Sequence, residues 1–178
     1  MRLTLLSRVF VRFAIVAAFI LTATICSYLS ASRFIVISVQ VENSHELLHC
    51  QEDILSLLKD AETGQRGFLL TGGNDEYLGP YSRAITAIGP KLSEFAALAD
   101  RTLPRQDDFA GELETLIGEK LAELAKTINL QRSGNAEAAL ALVRTDQGKR
   151  VMDEIRAVMD RSKLSERRRL EEKAGAAR

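Results

Sequence analysis

The segment LLHCQEDILSLLKDAETGQRGFLLTGG, at residues 47–73, decides the fold. When its residues are placed about 100° apart around a helix axis, the apolar side chains gather on one side, which is centred on Leu58. This side comprises Leu47, Gln51, Ile54, Leu55, Leu58, Ala61 and Leu69. The helix is expected to end at Leu70, because Gly72 and Gly73 in the following TGGN sequence can supply a C-terminal cap. Such an amphipathic helix must bury its apolar side against other elements.

Polar residues interrupt the apolar side of this helix. Glu62 and Gln65 fall within the stripe, and a buried carboxylate needs a partner because its desolvation is costly. Arg66, one helical turn later, is the nearest candidate, and Tyr77 or Tyr81 beyond the turn are others. We therefore expect a polar network in which the carboxylate is satisfied.

Two glycines lie in the same stretch of helix. Gly64 and Gly67 are predicted to point roughly outward on the same angular scale. Each costs about 1 kcal/mol relative to alanine inside a helix, which asks for a compensating reason such as the close approach of another helix.

Further amphipathic segments follow the TGGN turn. The second helix is predicted from about Pro80 to Arg101, with a bend at Gly89-Pro90, and the third opens at Pro104 and closes at residues 133–135. The fourth segment has a short start at residues 136–143, a break near 146–148 and a long continuation. The inward-facing residues are predicted to be Tyr81, Ile85, Ile88, Leu92, Phe95 and Ala99, then Phe109, Leu113, Leu116, Leu121, Leu124 and Ile128, and finally Val151, Ile155, Val158 and Ser162. This pattern predicts an all-α fold, an up-down four-helix bundle.

An uncharged apolar stretch precedes the bundle. Residues 13–32 contain no charged side chain, and twenty helical residues span roughly 30 Å, the thickness of the hydrocarbon core of a bilayer. Because Arg2, Arg8 and Arg12 come before it, the positive-inside rule places the N-terminus in the cytoplasm and the bundle on the exported side of the membrane. The predicted organisation is a basic N-terminus at 1–12, a transmembrane helix at 13–32, a bundle at 33–173 and a tail at 174–178. A signal peptide cleaved near residues 30–32 is the alternative.

Charge and cysteine content argue against a nucleic-acid-binding protein and against a disulfide-stabilised fold. The formal net charge is zero, so nucleic acid is not an expected partner. Cys26 lies in the apolar stretch and Cys50 beyond it, so they are not expected to form a disulfide. The bundle must therefore be stabilised by helix packing alone.

The sequence HELLH at residues 45–49 matches a zinc-hydrolase signature, in which two histidines bind the metal and the glutamate activates a water. On the helix, however, His45 and His49 lie about 140° and 180° from Leu58, on the side away from the bundle. The chain has no third histidine. We therefore predict two solvated histidines, no metal, no cofactor and no catalytic residue. A regulatory metal site with Glu42 or Glu52, and a hydrolase, remain less favoured alternatives.

A longer motif is more specific. The stretch DAETGQRGFLLTG at residues 60–72, followed by EYLGPYSRA at 76–84, closely resembles the CHASE domains of type three. The matching positions include Glu62, Thr63, Gly64, Gln65, Arg66, Gly67, Thr71, Gly72, Tyr77, Pro80 and Tyr81. Weaker resemblance extends over roughly residues 38–172.

The resemblance implies an extracellular sensory domain of a bacterial membrane receptor, with the bundle in the periplasm and the apolar helix in the inner membrane. In the family the bundle is flanked by two transmembrane helices and joined to a histidine kinase, a cyclic-dinucleotide cyclase or a similar output. In this sequence no second apolar stretch follows, so we expect either a piece of a receptor or a single-pass protein. The expected partners are the membrane, a second copy in a homodimer, and a cytoplasmic output domain or signalling protein; the ligand is not identified. The alternative is a membrane-tethered interaction or dimerisation module.

Overall fold

The computed structural model describes the backbone of residues 5–103 and 107–176, and the side chains of residues 10–28, 42–103, 107–172 and 175. Helices form nearly all of these ranges, and no strand occurs in them. The chain divides into two compact units, Met1–Glu42 and Asn43–Arg178. The helices are α1 (Leu5–Leu70), α2 (Gly79–Thr102), α3 (Phe109–Arg132), α4 (Ala136–Val143) and α5 (Gln147–Ala176), with a 3₁₀ turn at Asp75–Leu78. The predicted all-α fold is thus confirmed.

The first unit contains the N-terminal part of α1. Its segment Phe10–Tyr28 has the length and the apolar composition that a helix needs to cross a membrane. Large apolar side chains such as Phe10, Phe13 and Phe19 are exposed there, as suits contact with lipid rather than with water. The side chains of residues 29–32, the end of the predicted span, lie outside the described residues.

The second unit is the predicted helical bundle. Its main core joins buried residues of four helices, and α4 packs against α3. These residues include Leu47, Ile54 and Leu58 of α1, Ile88, Phe95 and Leu98 of α2, Leu113 and Ile117 of α3, and Val151, Ile155 and Val158 of α5. The prediction for Ile85 was wrong, because the buried position of that turn is Ala84, which packs against Ala61 and Leu124.

Glycine and short polar residues set the helix ends. At the end of α1 the Gly73 amide donates to the Phe68 carbonyl and the Gly72 amide to the Leu69 carbonyl, the two bonds of a Schellman motif. Gly72 has a φ of 73°, which only glycine adopts without strain. The side chain of Asp108 caps α3 by accepting a hydrogen bond from the Gly111 amide. The predicted start at Pro104 lies outside the described residues.

Cys50 gives the core a pH dependence. Burial, assisted by the negative charge of Glu94, raises the pKa of the Cys50 thiol from 9.0 to about 11. Since the folded state favours the protonated thiol, its contribution to stability is complete below about pH 9 and is lost as the pH rises to about 11. We therefore expect the difference in unfolding free energy between the wild-type chain and Cys50→Ala to shrink across this range in urea titrations. A constant difference would contradict the assignment.

Candidate functional site

A buried lysine connects α1 to α3. The Lys120 ammonium lies 3.4 Å from Oε1 of Glu62 in α1 and 3.2 Å from Oε2 of Glu123 in α3. The exposed fraction of the side chain is 2% for Lys120, 22% for Glu62 and 6% for Glu123. One ammonium therefore serves two carboxylates, and we call these three residues the Lys120 cluster.

The predicted partner of Glu62 is present but is not buried. Nη2 of Arg66 lies 3.0 Å from Oε1 of Glu62, as the spacing in the helix predicts, yet the Arg66 side chain is 65% exposed. The expected pairing of Glu62 with Arg66 is thus present, whereas the expected burial of this carboxylate is incomplete. Glu62 is only partly buried, and its buried partner is Lys120, which the sequence reasoning missed.

A cavity of about 430 Å³ opens beside the Lys120 cluster. Residues of α1, α3 and α5 line it, with contributions from the end of α4 and the turn that follows. Its cationic residues are Arg66, Lys120, Lys149 and Arg156, and its acidic residues are Glu62, Glu123 and Asp146. Gly148 lets the α5 backbone lie directly over the cluster, because a Cβ at this position would lie 2.7 Å from both the Lys120 ammonium and the Glu123 carboxylate.

Gln65 also lines this cavity. The residue is 2% exposed, and its Nε2 atom has no hydrogen-bond partner among the described residues. A buried amide nitrogen without an acceptor is destabilising, so such groups are rare in folded proteins. The sequence predicted that this residue is buried, and the structure adds that its donor is unsatisfied.

The two motif glycines permit a close contact between α1 and the start of α2. A Cβ at Gly64 would lie 2.9 Å from the Tyr81 amide nitrogen, and one at Gly67 would lie 2.8 Å from the Tyr77 ring. The predicted outward direction was therefore wrong, since Gly64 is buried, whereas the expected close approach is confirmed.

The remaining motif residues belong to the turn or to the helix surface. Thr71 donates through its hydroxyl to the Gly67 carbonyl at 2.8 Å. Pro80 lies in the first turn of α2, where its missing amide hydrogen costs no helical bond. Tyr81 is half-buried, and burial raises the pKa of its phenol. Thr63 is exposed and donates to the Lys59 carbonyl.

The HELLH residues lie elsewhere on the bundle. His45 and His49 are exposed, as the helical geometry predicts, and Nδ1 of His49 is 4.0 Å from Glu52. Over the side chains that the structure describes, no group of three or more His, Cys, Asp or Glu residues could hold a metal ion.

Comparison with known proteins assigns the family. A family model described as the CHASE3 domain matches residues 38–176, which include the whole cavity and the motif. No curated protein and no solved structure matches the chain. CHASE3 domains are sensory, non-catalytic domains that lie outside the cytoplasm in membrane receptors. Since the match covers most of its length and agrees with the helical bundle and the motif, the chain belongs to the CHASE3 domain family.

Proposed function

We propose that this chain is the signal-input domain of a bacterial membrane receptor and relays a signal, by rearrangement of its helices, to an output on the other side of the membrane. The family assignment supports a sensory role, and the apolar segment at Phe10–Tyr28 supports membrane attachment. The observation that carries the relay is the Lys120 cluster, a mostly buried polar junction between two helices that are otherwise joined by apolar packing.

Such a junction suits a two-state element. Glu62 has two cations within reach, Arg66 and Lys120, and Lys120 has two carboxylates. A small shift of α1 against α3 can exchange one charged contact for another, so the two arrangements need differ by only a few kcal/mol. Because α1 contains both Glu62 and the apolar segment, a shift at the cluster is a change in the helix that enters the membrane.

The proposed orientation has the N-terminus in the cytoplasm and the bundle in the periplasm of the inner membrane. Arginines before the apolar segment support it. Alkaline phosphatase fused after the bundle should then be active and β-galactosidase fused there inactive, because the first folds only in the periplasm and the second only in the cytoplasm. The reverse pattern would contradict this orientation.

We further propose that the module works as a homodimer and performs no catalysis itself. Any kinase or cyclase activity would belong to the output domain or partner protein. The alternative, a tethered interaction module, predicts a constitutive dimer whose state is insensitive to the Lys120 cluster.

A hybrid receptor tests the relay. The chain is placed ahead of a second membrane helix and the kinase module of a well-characterised receptor, and kinase output is measured in cells. Glu62→Gln is expected to change the basal output about fivefold or more, because it alters the charge balance of the junction and couplings between sites are typically of this size.

Glu112→Gln is the matched control. Glu112 also forms an ion pair between helices, with Arg161 of α5, but that pair is exposed and does not line the cavity. Its replacement should leave the output unchanged. Equal outputs from both variants, with both folded by circular dichroism, would contradict the relay.

A further inference from the structure

We propose that the cavity beside the Lys120 cluster binds a free amino acid in its zwitterionic form, with a small aliphatic side chain. The inference rests on the proposed sensory function, for which it supplies the stimulus. It depends on three properties of the cavity wall: an unsatisfied donor, charges of both signs, and a small apolar portion.

The unsatisfied donor is the side-chain amide of Gln65. Its Nε2 is buried and has no acceptor among the described residues, although the residue lines a cavity of about 430 Å³. Lys120 adds a buried ammonium whose two acceptors lie at 3.2 and 3.4 Å, which leaves its third N–H available. Both residues line the cavity, so a ligand oxygen there would supply the acceptor that Gln65 lacks, and a carboxylate accepts such bonds most strongly.

The charge pattern indicates that the ligand also carries a cation. Two carboxylates, those of Glu62 and Glu123, lie beside the Lys120 ammonium on this part of the wall, and the Arg66 guanidinium also pairs with Glu62. Lys149 and Arg156 supply positive charge on α5, where both also pair with Asp153. A ligand of one sign would be repelled by part of this surface, whereas a zwitterion has a counter-charge for each part.

Size and the apolar residues limit the ligand further. A volume of about 430 Å³ lies near the lower end of the range of small-molecule pockets, roughly 300–1,000 Å³, and suits an amino acid better than a nucleotide or a lipid. Leu124, Val143 and Met152 offer apolar contacts to an aliphatic side chain. The described lining contains no aromatic ring, which sugar and nucleobase sites use for stacking.

Binding can be measured on the full chain in nanodiscs by calorimetry and thermal unfolding. The probes are glycine and L-alanine, L-serine, L-threonine, L-valine and L-leucine, with matched compounds lacking one charge, such as propionate and ethylamine for alanine. At least one amino acid is expected to bind and to raise Tm. Its matched carboxylate and amine should bind at least about tenfold more weakly, because each lacks one of the two charged groups that would contact the wall.

Gln65→Leu separates binding from folding. Removing a buried amide with an unsatisfied donor should leave Tm of the unliganded chain equal or higher, while the affinity for the amino acid falls about tenfold or more. Gln51→Leu is the control, because Gln51 is also buried in α1 but donates to Ser162 and does not line the cavity. It should leave the affinity unchanged.

Three outcomes would overturn the inference: no probe binds, propionate binds as tightly as alanine, or Gln65→Leu binds normally. The proposed relay and the proposed ligand can be contradicted independently of each other. If no amino acid binds but Glu62→Gln alters the hybrid receptor, only the ligand assignment is wrong. If an amino acid binds but the hybrid output ignores Glu62→Gln, the relay is wrong and the binding site stands.

Discussion

Gly64→Ala is expected to destabilise the bundle by about 2 kcal/mol, although alanine is the better helix former. The added Cβ would lie 2.9 Å from the Tyr81 amide nitrogen and 3.1 Å from the Tyr77 carbonyl oxygen. These are backbone atoms, so the contact can relax only if the 3₁₀ turn and the start of α2 move away from α1. Overpacking of this kind costs about 1–3 kcal/mol, and the upper part of this range applies where relaxation is restricted. The higher helix propensity of alanine offsets at most about 1 kcal/mol of this cost.

Gly118→Ala is the matched control and should have the opposite sign. Gly118 lies inside α3 and is exposed, and a Cβ added there would have no neighbouring atom within 4 Å. Alanine at this position should stabilise the chain by about 0.5–1 kcal/mol through helix propensity alone. Urea unfolding of both variants measures the contrast. If Gly64→Ala proved as stable as Gly118→Ala, the close approach of α1 and α2 would be wrong.

The helices themselves could be predicted because burial on one side leaves a period of 3.6 residues in the sequence. Leu47, Ile54 and Leu58 were correctly placed in the core on this basis, and the glycines after Leu70 correctly ended α1. The direction of Gly64 was not predictable in this way. Its two nearest neighbours are backbone atoms, one of the 3₁₀ turn and one of α2, and these leave no hydrophobic signal.

The error at Ile85 has a related cause. Where α1 and α2 approach closely, the buried residues are Ala61 and Ala84, since only small side chains fit between the helices. A hydrophobic pattern gives isoleucine more weight than alanine, so it selected the neighbouring exposed position. Close helix approach thus reverses the preference on which the pattern depends.

Part of the candidate site could be predicted from the sequence. Glu62 and Gln65 stand out because they are polar residues in an apolar stripe. Lys120 follows the same logic in α3, at the spacing of Leu113, Ile117 and Leu124, but a lysine is ordinarily assigned to a solvated face. The pairing of Lys120 with Glu62 joins residues 58 positions apart, so it depends on the register between two helices and not on either sequence alone.

Lys120→Met is expected to destabilise the bundle by about 3 kcal/mol, the larger of the two effects. Methionine retains the unbranched apolar stem but removes the ammonium from between two carboxylates. Removing one partner of a buried ion pair costs about 3–5 kcal/mol, because the remaining charge is buried without compensation. The lower end of this range applies because Glu62 is 22% exposed and retains Arg66 as a partner. The main cost therefore comes from Glu123, which is only 6% exposed.

A second substitution identifies the cause of this loss. Lys120→Met combined with Glu123→Gln should recover about 2 kcal/mol, because the most buried carboxylate is then neutral. Lys149→Met is the control: Lys149 lines the same cavity, but its ion pair with Asp153 is exposed, so the change should stay within about 0.5 kcal/mol. A loss for Lys120→Met no greater than that of Lys149→Met would contradict a buried ion pair.

The double variant Lys120→Met, Glu123→Gln is also informative in the hybrid receptor. If the charged contacts are needed for the relay and not only for folding, it should regain stability while its output stays altered, because α3 then offers Glu62 no charged partner.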